Sequence, residues 1–125
     1  MKNRKFSIKT RVKSFKYALN GLRILIRDEH NSRIHLFAAV GAIILAVVLD
    51  ISNTEWLAIV IVVAMVFSLE IINSAIESLA DFVSPHYNKI IKKVKDLSAA
   101  AVFVSALTSI VVAVIIFVPK ILKLW

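Results

Sequence analysis

The chain contains no cysteine, and its glycines and prolines number two each. Without cysteine there is no disulfide framework, no thiolate nucleophile and no metal site built on sulfur. So little glycine and proline excludes a disordered or loop-rich chain. With only Gly21 and Gly41 to draw on, a Gly-rich phosphate loop of the Walker type is excluded as well. The three histidines are widely scattered, so no histidine cluster suggests itself.

What fills the 125 residues instead is hydrocarbon: 59% are hydrophobic and the mean hydropathy is +0.82. That length holds one domain, here taken as residues 1–125, and that composition describes a small helical membrane protein. Three uncharged apolar runs stand out: LFAAVGAIILAVVL (36–49), WLAIVIVVAMVFSL (56–69) and LSAAAVFVSALTSIVVAVIIFVP (97–119). The third is long enough to cross a bilayer alone, since about 20 helical residues suffice. The first two, each roughly 21 Å as helix, fall short of a hydrocarbon core of about 30 Å. To span, they must recruit polar neighbours.

The first run extends backwards through Ile34 and His35 towards Glu29. The second extends forwards, because the linker DISNTE (50–55) is short and carries a turn signal at Ser52 and Asn53. Ser84 and Pro85 then end it, and the third span opens near Asp96. The expected architecture is all-α, with transmembrane helices over residues 31–50, 55–83 and 96–119 and no internal repeat. Before them, Val12, Phe15, Leu19, Leu22 and Ile26 recur at helical spacing beside Lys13, Lys16, Asn20, Arg23 and Arg27. This predicts an amphipathic helix over 10–30 lying in the membrane interface, or else packed on a partner subunit. The small residues Ser98 to Ala101 suit close packing between helices.

The net charge is +8, which would also suit nucleic acid. Its placement argues against that partner: ten of sixteen Lys and Arg lie in residues 1–33 and four in 84–96, each flanking an apolar run. Anionic head groups and the positive-inside rule select this pattern. It puts the N-terminus and the 84–96 connection in the cytoplasm and the acidic 50–55 turn outside. Lys120 and Lys123, on the outer side, are a mild violation. No cleavable signal peptide is expected, since the basic N-terminus leads into no short apolar stretch with a cleavage site.

Directly after the second apolar run, LEIINSAIESLAD (69–81) carries Glu70, Asn73, Glu77 and Asp81 at spacings that form one helical stripe. Like charges so spaced repel, and a carboxylate at the bilayer centre costs about 2.5–3.5 kcal/mol on translocon scales. A bound cation, a basic partner or protonation must compensate. The plain alternative is pairing with the lysines of 89–95, and for Asp81 that suffices. Glu29, in RDEHNSRIH (27–35), falls at the same depth as the stripe. Carboxylates and an amide suit magnesium, which binds through one or two carboxylates together with substrate phosphates. His30 and His35 are off one helical face, which argues for interfacial hydrogen bonding over zinc. Lys95 could meet phosphate, and Asp96 could either join it or simply cap the third span. Acids for a metal, a lysine for phosphate and a site at the lipid boundary point to phosphoryl transfer onto something in the membrane.

The segments NGLRILIRDE, LEIINSAIESLAD and KVKDLSAAAV resemble the small integral-membrane prokaryotic diacylglycerol kinases, whose members include undecaprenol kinases. The resemblance runs over roughly residues 12–119. It implies a homotrimer in the bacterial inner membrane, with active sites at the cytoplasmic interface between subunits. The implied reaction moves the γ-phosphoryl group of MgATP to a lipid hydroxyl. By position, Glu70 matches the general base, Asn73 the amide of the core motif, and Glu29 and Glu77 the acids that bind Mg²⁺. Lys95 and Asp96 match the nucleotide-side pair, and Tyr17, Gly21 and Arg23 match surface-helix positions near the nucleotide. Where diacylglycerol-specific members carry a second acid this chain has His35, and the E-x-N-x-x-x-H arrangement is more similar to the undecaprenol kinase branch. A rival function is an oligomeric cation channel or transporter subunit whose glutamates form a ring. Against it, the first and third apolar runs contain no acid.

Overall fold

The computed structural model describes residues 6–125, and among them there are four helices and no strand. They are α1 (Ile8–Asp28), α2 (His30–Val48), α3 (Asn53–Val83) and α4 (Lys89–Leu122). The last three are long and apolar enough to cross a membrane. The fold is that of an all-α membrane protein with three such helices and an N-terminal helix.

Ser7 caps α1, its hydroxyl accepting from the Thr10 amide. Val12, Phe15, Leu19 and Leu22 on its apolar stripe are exposed, and Leu25 is the α1 residue buried against the rest of the chain. This apolar face is thus left uncovered by the rest of the chain. The chain breaks at Glu29, which is extended (φ −109°, ψ 113°) and serves as C-cap of α1 and N-cap of α2 at once. Arg33 stabilises the break from the next turn. Its Nε donates to the Ile26 carbonyl at 2.8 Å, and its Nη2 donates to that of Arg27, carbonyls that the end of α1 leaves without helical partners.

At about 28 Å, the 19-residue α2 matches a bilayer core. It turns into α3 through Asp50, whose positive φ of 51° an aspartate tolerates better than most side chains. Ser52 and Glu55 then form a capping box, hydroxyl to the Glu55 amide and carboxylate to the Ser52 amide. The sequence-based turn at Ser52 and Asn53 is thus displaced: Ser52 is the cap, and the helix starts at Asn53 rather than residue 55. Beside this turn, Ala46, Ile51, Ile59, Ile116 and Phe117 pack into a buried apolar cluster. Lys120 reaches Glu55 at 3.1 Å, so the basic residue that breaks the charge rule is matched by an acid.

A larger correction concerns α4, which begins at Lys89, not at 96. Asn88 caps it, accepting from the Ile90 and Ile91 amides. Asp96 therefore lies inside the helix and caps nothing. Lysines are good helix formers and nothing between Asn88 and Asp96 breaks a helix, so the helix starts well before the hydrocarbon does. At the far end it runs through Pro119 to Leu122. With 31 and 34 residues, α3 and α4 measure about 46 and 51 Å, so each stands well clear of a 30 Å core. The excess of α3 and the start of α4 lie at the end where α2 begins. That polar end carries the site.

Candidate functional site

Four positions on α3 set the site. Taking Glu70 as reference, Glu77 is nearly in line with it, Ser74 is turned about 40° to one side and Asn73 about 60° to the other. The first side faces α2 and the second faces α4, as the contacts show. Ser74 Oγ donates to Glu29 Oε1 at 3.1 Å. Asn73 accepts from Ser98 Oγ of α4 at 2.7 Å through its carbonyl, and donates to Glu77 Oε1 at 3.2 Å through its amide nitrogen. The polar groups that burden the helix are thus the ones that join it to both neighbours.

Glu70 is the deepest of them, only 4% exposed. Ser32 Oγ donates to its Oε2 at 2.7 Å, and His35 Nδ1 is bonded to its Oε1. Ser32 and His35 are three residues apart on α2 and so share the face turned to α3. Ser32 is 1% exposed. A buried carboxyl group with both oxygens hydrogen-bonded is tolerable; a buried charge stripped of its partners would cost several kcal/mol. Among the described residues no buried side-chain polar atom is left without a partner.

The remaining sequence-predicted residues divide. Glu29 and Glu77 come to nearly one level, because Glu29 is bonded to Ser74 and Ser74 is one turn from Glu77. Lys95 and Asp96 are not brought together: Lys95 bonds Asp81 at 2.8 Å, and Asp96 bonds Lys92 at 2.6 Å. Asp81 thus has the lysine neighbour its position allowed for. Both ion pairs border a cleft of about 340 Å³ between the end of α3 and the start of α4, lined also by Ser84, His86 and Tyr87. Tyr17, Gly21 and Arg23 stand apart from all of this on α1. Tyr17 is 72% exposed, and a methyl group on Gly21 would meet nothing within 4 Å. Tyr17 and Gly21 share a face, whereas Arg23 is about 200° round from Gly21. Asp28 also stays out: Arg27 hydrogen-bonds it at 2.8 Å, which lowers its carboxyl below the usual range.

Ser32, Ser74 and Arg33 are not singled out by the sequence, and Ser98 is read there only as a small residue for helix packing. Ser32 could have been found, since it lies midway between Glu29 and His35 at three-residue steps. For Ser74 and Ser98 the sequence holds no signal beyond proximity to an acid or an alanine run.

As a test of fit for a metal, no three His, Asp or Glu side chains converge among the described residues. Glu29 and Glu77 each commit Oε1 and keep Oε2 available. One carboxylate oxygen at the α1–α2 joint and one on α3 are donors of the type Mg²⁺ takes, since it is commonly held by one or two carboxylates with phosphate and water completing the shell.

Three helices long and apolar enough to cross a bilayer, with Glu29, Glu70 and Glu77 towards one end and lysines just beyond them, define a small membrane protein with a polar site at the lipid boundary. Residues 16–117 match the family described as prokaryotic diacylglycerol kinase, and the chain belongs to that family. An undecaprenol kinase from Bacillus subtilis (strain 168) is 35% identical over 108 residues, 86% of this chain and 88% of that protein. A diacylglycerol kinase from Synechocystis sp. is 31% identical over 112 residues, 89% of this chain and 64% of that protein. A diacylglycerol kinase from Escherichia coli (strain K12) is 28% identical over 100 residues, 80% and 82% of the two chains.

Proposed function

We propose that this protein is an ATP-dependent lipid kinase that moves the γ-phosphoryl group of MgATP to the hydroxyl of a membrane lipid, undecaprenol in preference to diacylglycerol. The observation that carries the reading is the two-level site: Glu29 and Glu77 at the polar end, bonded to Ser74 and Asn73 of the same helix turn, and buried Glu70 one to two turns deeper. Phosphate chemistry belongs at the upper level and a lipid hydroxyl at the lower. Membership of the family and the kinase names of its relatives support the reaction class. The undecaprenol preference is supported by His35 standing where diacylglycerol-specific members have an acid, and by the 35% identity to an undecaprenol kinase.

Glu29 and Glu77 would hold Mg²⁺, which when bound neutralises charge on the phosphates. Lys95 would turn from Asp81 to the nucleotide, with Asp96, Tyr17, Gly21 and Arg23 around it. Asn73 keeps Glu77 and α4 in register through its two bonds. Glu70 supplies the negative charge that draws the proton from the lipid hydroxyl, while α2 and α4 exclude bulk water. Phosphoryl transfer asks mainly for positioning and charge stabilisation, which such a rigid polar end supplies. With the basic segments 1–33 and 84–96 facing the cytoplasm, the site opens to cytosolic ATP in the inner membrane. α1 and the exposed apolar flanks of the three spans leave room for a homotrimer, in which a neighbour closes the site.

Undecaprenol and diacylglycerol offered side by side with MgATP, in detergent micelles, test the reading. Both should be phosphorylated, undecaprenol with the higher kcat/KM. Ion flux in liposomes with no phosphorylation of either lipid would overturn it.

A further inference from the structure

Of the two acids that would hold the metal, Glu77 sits inside α3, whereas Glu29 belongs to no helix. It is extended between α1 and α2, and its carboxylate makes no capping bond to α2. A short polar side chain at a helix start ordinarily folds back onto that helix's own amides. The Glu29 carboxylate crosses to Ser74 of α3 instead. A joint free to turn would carry that carboxylate away, so the residue must be held extended by something outside itself.

The side chain that reaches the joint is Arg33. The end of α1 leaves its last carbonyls without ordinary helical partners. The Glu29 amide donates to that of Leu25 at 3.0 Å. Arg33 takes the next two, donating from Nε to the Ile26 carbonyl at 2.8 Å and from Nη2 to that of Arg27. Nε and Nη2 lie on one edge of the planar guanidinium, so the pair of bonds fixes its plane against the helix end as the single point of a lysine ammonium could not. A cation is also favoured at this end by the helix dipole. The Arg33 backbone meets the same joint from the other side, its amide on the Glu29 carbonyl at 3.4 Å. Arg27, the basic residue in the last turn of α1, is bonded to Asp28 instead.

Arg33 is half-buried in the first turn of α2, next to Ser32, whose hydroxyl is bonded to Glu70 of α3. The joint is therefore tied to a helix docked on α3, not to α1, whose apolar stripe is exposed. We propose that Arg33 is a positioning residue for the metal site: by pinning the end of α1 to the first turn of α2, it holds Glu29 extended and presents its carboxylate to Ser74 and to a divalent cation. The inference rests on the lipid kinase reading and adds to it a residue that acts on the metal through Glu29.

Arg33→Met keeps an unbranched stem and removes both donors. We expect the Mg²⁺ concentration for half-maximal lipid phosphorylation to rise about 10-fold, as loss of a group that orients a ligand does. At saturating magnesium, kcat and KM for the lipid should stay close to wild type. In hydrogen exchange, which needs no turnover, the Glu29 and Arg33 amides should exchange severalfold faster as the joint opens. Arg33→Lys, with one donor centre in place of two, should fall between. Because the effect passes through Glu29, Arg33→Met introduced into Glu29→Gln should raise the magnesium requirement no further. The inference falls if Arg33→Met keeps the wild-type magnesium requirement, if it loses kcat at every magnesium concentration, or if the two substitutions multiply their effects in full. Unchanged exchange at the joint overturns it as well. If Arg33→Met does not fold, Arg33→Gln, which keeps one donor group, is read in the same way. A wild-type protein that phosphorylates no lipid sinks the kinase reading instead, and exchange at the joint then decides for or against Arg33 by itself.

Discussion

Ser74 on α3 donates a hydrogen bond to Glu29, 45 residues earlier in the chain, at 3.1 Å. This bond fixes the height of an acid that belongs to no helix. Glu29 is the extended residue between α1 and α2, and its own carboxylate makes no capping bond to α2. Without Ser74 it would swing with the joint. The consequence is that a serine hydroxyl, not helix geometry, brings Glu29 to within one turn of Glu77.

If Glu29 and Glu77 hold magnesium, Ser74 orients a ligand and its loss should be felt as lost metal affinity. Ser74→Ala is expected to raise the Mg²⁺ concentration for half-maximal activity about 10-fold or somewhat more, the usual effect of deleting a ligand's hydrogen-bond partner. Glu29→Gln and Glu77→Gln should raise it further, with activity partly recovered at high magnesium. A magnesium titration of each variant decides the matter, and variants that high magnesium never rescues would contradict the ligand assignment.

Glu70→Gln separates charge from shape. Glutamine retains an oxygen for Ser32 but carries no negative charge. Turnover should drop by at least about 10²-fold, the lower range for loss of acid–base function. MgATP binding, measured calorimetrically, should survive, because the nucleotide end lies one to two turns away. Near-full turnover in this variant would remove Glu70 from the proposed chemistry.

Much of this could be read from the sequence, and the exceptions have physical causes. The stripe of Glu70, Asn73, Glu77 and Asp81 follows from 3.6-residue periodicity, and the three spans follow from uncharged runs against bilayer thickness. The start of α4 was misplaced because apolar runs mark where a helix meets lipid, whereas Asn88 marks where the helix begins. The break at Glu29 has no glycine or proline to announce it, and depends on Arg33 reaching back from α2. Ser74 and Ser98 have partners that the sequence does not announce, because a hydroxyl is neutral and fits either environment, so its partner is known only when the helices are docked. His35 was read as an interfacial hydrogen bonder; that its partner is Glu70 follows from the register of α2 on α3, which no local pattern encodes.

Lys95 and Asp81 form an exposed pair at 2.8 Å across the α3–α4 cleft. Exposed pairs of this kind contribute little because solvent screens them, so a phosphate can displace Asp81. Lys95→Met should therefore raise KM for ATP severalfold or more while changing stability little. Asp81→Asn, which frees the lysine, should leave KM unchanged or lower it. Steady-state kinetics over ATP concentration distinguish the two, and a Lys95→Met enzyme with wild-type KM would rule out the nucleotide role.

At the opposite end, Glu55 does two jobs that mutation can divide. Its carboxylate accepts from the Ser52 amide in the capping box and pairs with Lys120 at 3.1 Å. Glutamine can still close a capping box but carries no charge, so Glu55→Gln should lose only the ion pair, a small effect for a solvent-screened pair. Lys120→Met should match it, and the double variant should cost no more than either, since the same interaction is removed. Glu55→Ala additionally opens the cap and should lower the unfolding midpoint further than either. Unfolding of the detergent-solubilised variants reads these differences directly. Lipid phosphorylation should be unaffected in all of them, because this turn lies at the far end of α2 and α3 from Glu29, Glu70 and Glu77. A Glu55→Gln protein as unstable as Glu55→Ala would mean that charge, not the cap, anchors the turn.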